Sequence, residues 1–199
     1  MVDYWHGGRR GIKVGDLLKG PYARKQEWSL TERNIERQHL HRGIYNSERD
    51  PRRVYFTTDR ELARGWAMHA MLQAEGGGAL YRVKPLPPSS LEPDPDIRAT
   101  GFSARRAEVL EVVEDLVQMD EDDALRATNW KYTLWEDDSP MYDYDGYMLP
   151  SPEHRNGGAT PDLFRHLGKW FHVPPDHVVV WRGTGRVFVL PRSALDSFG

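Results

Sequence analysis

The chain has 199 residues, 39% of them hydrophobic and seven of them Trp, enough apolar material for one domain or a domain with an appendage. Its formal net charge of −3 gives no global attraction to nucleic acid or an anionic membrane. The absence of cysteine excludes disulfides, thiolate metal sites and a cysteine nucleophile.

The N-terminus, MVDYWHGGRR, has no basic stretch leading into an apolar one, and no apolar run approaches the ~20 residues of a membrane helix. A soluble, cytoplasmic, monomeric protein without a membrane partner is expected. Residues 2–6 are short and aromatic and run into Gly7-Gly8, which suggests a strand ending in a turn. Val14 to Leu18 is a second short element. Residues 20–53 are polar and rich in arginine, with one weakly helical stretch near Leu30 to Leu40. So long an excursion from a compact domain tends to be functional or mobile.

Arg53-Val54-Tyr55-Phe56-Thr57 is β-branched and aromatic, hence a strand. Thr58-Asp59-Arg60-Glu61 reads as a capping box, with Thr58 as the N-cap. Leu62, Ala63, Trp66, Ala67, Ala70 and Met71 then recur at helical spacing and form one apolar face. Gly76-Gly77-Gly78 ends that helix, because glycine tolerates the left-handed C-terminal geometry. Ala79 to Val83 is the next strand. Pro85, Pro87, Pro88, Pro93 and Pro95 are expected to prevent regular structure until about residue 97. Val109 to Val117 is strand-like.

The acidic run Asp120-Glu121-Asp122-Asp123 marks a boundary. A loop-rich, aromatic third follows and closes on two apolar runs around Gly183-Thr184-Gly185, which read as a hairpin over 178–190. That turn lacks the Lys-Ser/Thr and the helix of a phosphate loop. Asp143-Tyr144-Asp145-Gly146 lacks the remaining ligands of a calcium loop. His166, His172 and His177 lack metal-ligand spacing, so no metal is expected.

Three residues at or next to extended segments carry chemistry: His6, Tyr55 and Asp94. Each alone is what a core or a turn would hold. In order, the motifs YWHGG, VYFTTDRELARGWAMHA and YRVKPLPPSSLEPDPDI resemble those of the rifamycin ADP-ribosyltransferase family, within the His-Tyr-Asp/Glu ADP-ribosyltransferases, over about residues 3–118. The resemblance implies an α+β fold of two small, packed, mostly antiparallel sheets with NAD in the cleft between them. It implies a catalytic domain over 1–118, with 20–53 as a long insertion. Residues 119–199 are unmatched, and are expected to be an extension that packs over or beside the cleft, its hairpin adding strands.

The implied reaction is transfer of ADP-ribose from NAD, as co-substrate, to an acceptor nucleophile with release of nicotinamide. Its transition state resembles the oxocarbenium ion of glycoside cleavage, so the site must hold the ribose and set a carboxylate beside the developing positive charge. The resemblance assigns His6 and Gly7 to the ribose or adenosine side of NAD and Tyr55 to the nicotinamide. It places Trp66 on the helix beside them, and Asp94 as the carboxylate. Pro93 before Asp94 departs from the family pattern and leaves Glu92 and Asp96 as alternatives. Arg105, in Ser103-Ala104-Arg105-Arg106, aligns with a basic stretch suited to the NAD pyrophosphate, or else is a solvated arginine. A rifamycin-type hydroxyl on a small molecule is the default acceptor. The rivals are a toxin or phage effector that modifies a protein or nucleic acid, and a non-catalytic module with an NAD-shaped cleft.

Overall fold

The computed structural model describes residues 2–22, 50–174, 176–181, 183 and 185–197. Most of the arginine-rich 20–53 segment, with its helical stretch near Leu30, lies outside the described residues, as do Arg182 and Thr184 of the C-terminal hairpin. Two compact units, Met1–Ala124 and Leu125–Gly199, divide the chain.

Seven strands form the first unit: β1 (Tyr4–Arg9), β2 (Leu17–Lys19), β3 (Val54–Thr57), β4 (Gly78–Leu86), β5 (Glu92–Pro93), β6 (Gly101–Ala104) and β7 (Arg106–Glu114). They lie in the order β2-β7-β4-β1-β3-β6-β5, and every neighbouring pair is antiparallel. Where two small sheets are expected, the hydrogen bonding therefore makes one. Its seam lies between β1 and β3. β1 pairs with β4 along its whole length, whereas it meets β3 only at the rung Trp5↔Thr57.

The sheet is curled. A Cβ on Gly20, just past β2, would lie 2.4 Å from the backbone carbon of Arg52, just before β3. In a flat sheet those strands, four places apart, would be separated by about 19 Å. Inside the curl lies a core of Val54, Phe56, Ala79, Tyr81, Val83, Ala104, Ala107 and Val109. Burial of a side chain the size of Phe56 contributes about 1.5–3 kcal/mol.

The helical segment after β3 is two helices, α1 (Arg60–Ala67) and α2 (Ala70–Ala74), rather than one. The N-cap of α1 is Asp59, not Thr58: its Oδ1 accepts from the amides of Glu61 and Leu62 at 2.9 and 3.2 Å. A carboxylate satisfies two of the orphan N–H groups at once and favours the positive end of the helix dipole. Leu62, Ala63 and Ala67 are fully buried and Trp66 half-buried; the side chains of Ala70 and Met71 lie outside the described residues.

Three more expectations change. Pro85 is inside β4, paired with Ala107. It is tolerated because β1 stops at Tyr4↔Val83, so among the described residues no strand pairs with Pro85 on that side to ask for an N–H. A two-residue strand, β5, also falls inside the proline-rich stretch. The basic stretch Ser103–Arg106 is divided between β6, which takes Ser103 and Ala104, and β7, which begins at Arg106, not Val109, and ends at Glu114, not Val117.

The second unit includes most of α3 (Glu121–Asn129), inside which the division falls, and α4 (Pro152–Asn156). Its core gathers Tyr142, Met148, Phe164 and Val187. The Tyr142 hydroxyl donates to the Phe171 carbonyl at 2.8 Å, and burial raises its pKa. The expected hairpin is β8 (His177–Val180) paired with β9 (Phe188–Pro191). These strands form a separate two-stranded sheet and add nothing to the seven-stranded one. In the Asp143–Gly146 loop, Asp143 Oδ1 accepts the Tyr147 amide at 2.9 Å, a turn cap.

Candidate functional site

His6 sits in β1 immediately past the seam. The rung Trp5↔Thr57 and the alternation of the pleat put Trp5, Tyr55 and Thr57 on the outer face, and His6 on the inner face with Phe56 and Tyr81. In a regular ladder His6 and Tyr55 would be kept apart. Beyond the single rung the strands diverge, and the imidazole turns into the opening. Its Nδ1 lies 2.8 Å from the Tyr55 carbonyl oxygen. A carbonyl only accepts, so Nδ1 carries the proton, and in the neutral ring Nε2 is the acceptor.

The Tyr81 ring stacks on His6, with centroids 6.4 Å apart. Tyr81 is fully buried, donates to the Arg9 carbonyl at 2.8 Å, and has its pKa raised by burial. His6 is therefore oriented from both neighbouring strands.

The glycines after His6 have separate uses. A Cβ on Gly7 would lie 1.9 Å from the Ala63 carbonyl oxygen and 2.8 Å from the Ala67 amide, so Gly7 is where α1 rests on β1. A Cβ on Gly8 would lie 2.6 Å from His6 Nε2, so Gly8 makes room for the imidazole.

Tyr55, in β3, is half-buried, and its hydroxyl is a long 3.5 Å from the Asp50 carbonyl. The sheet register places the carboxylates relative to it. Ser103 is paired with Tyr55 on one side and Glu92 on the other, so Glu92 shares the rung of Tyr55, about 10 Å away across two strands. Asp94 belongs to the next rung. Its amide donates to the Gly101 carbonyl at 2.9 Å, and Gly101 pairs with Thr57.

The three carboxylates differ in their surroundings. Asp94 is 2% exposed, and its Oδ1 accepts the Asp96 amide at 3.0 Å, which ties the turn between β5 and β6. Glu92 is exposed and ion-paired to Arg53 at 3.1 Å. Asp96 is half-buried within the turn. The His6 imidazole is thus brought onto the main-chain carbonyl of Tyr55, while the carboxylates stand two strands away from Tyr55.

Trp66 lies on α1, in the helix that covers β1 and β4. Arg105 is exposed and is the single residue between β6 and β7. Sequence reasoning missed Arg53. Its guanidinium donates to Ser103 Oγ at 2.9 Å and to the carbonyls of Ser90 and Ser103, while pairing with Glu92. The available signal was its place immediately before the β-branched, aromatic run that becomes β3.

Among the described residues, no three His, Cys, Asp or Glu side chains are grouped to hold a metal ion, and no helix is long and apolar enough to cross a membrane. No family model matches the sequence, and no curated protein matches it.

Proposed function

We propose that the chain is a mono-ADP-ribosyltransferase that uses NAD. The observation that carries this reading is the contact between His6 and Tyr55 at the opening between β1 and β3. It joins two of the three motifs on which the resemblance to rifamycin ADP-ribosyltransferases rests, and it fixes the imidazole tautomer.

In the proposed reaction, His6 Nε2 accepts a hydrogen bond from a ribose hydroxyl and Tyr55 offers its ring to nicotinamide. The bond between ribose C1′ and the pyridinium nitrogen breaks, and the electron pair leaves with neutral nicotinamide. The carboxylate of Asp94 lowers the energy of the resulting oxocarbenium ion. The acceptor oxygen then bonds to C1′, and its proton passes to that carboxylate or to water. A hydroxyl on a rifamycin-type small molecule is the first acceptor to test.

Rifampicin incubated with the protein and NAD should gain one ADP-ribose unit by intact-mass spectrometry. Asp94→Asn keeps the Oδ1 acceptor that holds the Asp96 amide but removes the charge, so it should fold and fail to transfer. Release of nicotinamide without modified rifampicin would keep the transfer and move the acceptor to a macromolecule. Neither product would overturn the reading.

A further inference from the structure

β5 carries Glu92 and leads directly into Asp94, yet the main chain holds this segment weakly. The strand is two residues long, stands at the end of the strand order and pairs with β6 alone. That is shorter than the usual strand. Pro93 and Pro95 lack an N–H, so residues 92–95 have only the amides of Glu92 and Asp94 to donate. The Asp94 amide goes to the Gly101 carbonyl at 2.9 Å.

Arg53 supplies what the backbone lacks. Its side chain is 12% exposed. On β6, Nε donates to Ser103 Oγ at 2.9 Å and Nη2 to the Ser103 carbonyl at 3.1 Å. Nη2 also donates to the Ser90 carbonyl, just ahead of β5, and Nη1 pairs with Glu92 Oε1 on β5 at 3.1 Å. Ser90 is itself fixed, because its hydroxyl donates to the Pro87 carbonyl at 2.8 Å and accepts the Arg105 amide at 3.3 Å. A planar guanidinium presents its donors in a rigid fork, so these bonds set the place of β5 as well as balancing its charge. At its other end, the Arg53 main chain runs straight into β3, where Val54 and Phe56 are buried on either side of Tyr55. One side chain ties the segment of the carboxylates to the strand of Tyr55.

We infer that Arg53 is a positioning residue for the proposed transfer: it holds β5, and through it Asp94, at a set place relative to Tyr55. The inference rests on the transferase reading. Arg53 acts through the carboxylate segment and not on NAD, so loss of its fork should slow the chemical step without weakening NAD binding. A misplacement of about 1 Å in an active site can cost on the order of 100-fold in rate.

Two variants separate the fork from the charge. Arg53→Lys keeps a cation for Glu92 and loses the fork to Ser103 and Ser90, while Ser103→Ala keeps Arg53 and removes the acceptor of Nε. With transfer or nicotinamide release as the assay, Arg53→Lys should lower kcat by about tenfold or more and leave KM for NAD within about threefold of wild type. Ser103→Ala should move kcat in the same direction by less. Hydrogen exchange reads the clamp without any reaction. In Arg53→Lys the Asp94 amide should exchange about tenfold faster or more, while the β4 amides along β1 keep their protection. Neither transfer nor nicotinamide release by wild type overturns the transferase reading and the catalytic role with it, and the exchange of Asp94 then still decides the clamp. An Asp94 amide as well protected in Arg53→Lys as in wild type overturns the clamp itself. Faster exchange with kcat unchanged, or a rise in KM alone, overturns the positioning role and leaves the transferase reading intact.

Discussion

Replacing Gly7 by alanine would place a methyl group 1.9 Å from the Ala63 carbonyl oxygen. Real Cβ contacts essentially never fall below 3.0 Å, so α1 must move by about 1 Å or β1 must distort. Neither is easy. Gly78 on β4 makes the same approach, with its own absent Cβ 2.2 Å from the Ala67 carbonyl. The helix is therefore seated on two glycines of neighbouring strands. Moving it disturbs Leu62, Ala63 and Ala67, which have no exposed surface. Overpacking of this kind costs about 1–3 kcal/mol, and more where backbone must give. Alanine recovers roughly 0.5–1 kcal/mol of strand entropy, so from the upper end of that range, where backbone must give, a net loss of about 2–2.5 kcal/mol remains. With a urea slope of about 1–3 kcal/mol/M, the unfolding midpoint of the first unit should fall by about 1 M. Gly8→Ala is the contrast. Its methyl meets only the His6 ring, which can rotate away and give up its bond to Tyr55. That variant should keep nearly all its stability and lose the proposed NAD-dependent turnover. A Gly7→Ala protein that unfolds at the wild-type urea concentration would refute the seating of α1 on β1.

Asp59→Ala removes the acceptor of two α1 amides and should cost about 1 kcal/mol, readable by chemical denaturation. Arg53→Ala strips Ser103, Ser90 and Glu92 of a shared charged donor and should cost about 2–4 kcal/mol, whereas Glu92→Gln, at an exposed pair, should cost under about 1 kcal/mol. Burial raises the phenols of Tyr81 and Tyr142 above their ordinary value of 10.0. A group whose pKa is higher folded than unfolded contributes fully below pH 10 and loses that contribution as pH rises through the folded value. Melting temperature should therefore hold as pH is raised to about 10 and fall beyond it. Tyr142→Phe should remove part of that alkaline loss, at a cost of about 1 kcal/mol for the bond to Phe171.

The local signals in the sequence were legible where one residue type dominates. The Val54–Thr57 strand, the start of the following helix to within a residue, and the β8–β9 hairpin could all be read from apolar runs and their punctuation. Failures occurred where tertiary context decides. Gly101-Phe102-Ser103-Ala104 has weak strand propensity, and it becomes β6 because β3 and β5 offer ladders on both sides. Pro85 is acceptable in β4 only because β1 ends before reaching it. The HGG motif read as a place for ligand approach, yet half of it serves the packing of α1.

Alternation along a strand is a strict geometric rule, and it assigns His6 and Tyr55 to opposite faces of the sheet. Their contact therefore depends on the ladder stopping after one rung, and a longer β1–β3 pairing would close the site. The same geometry bears on the carboxylate of the proposed reaction. Glu92 shares the rung of Tyr55, but it faces water and its charge is already balanced by Arg53. Asp94 stands one rung further and is 2% exposed. A carboxylate away from water acts on a nearby cation through a lower effective dielectric, so it stabilises an oxocarbenium ion more per unit of distance than a solvated, paired one. Nearness in the ladder favours Glu92 and electrostatics favours Asp94. For a transition state whose main demand is charge stabilisation, the electrostatic argument decides, because the field of the paired Glu92 is largely cancelled by its partner Arg53.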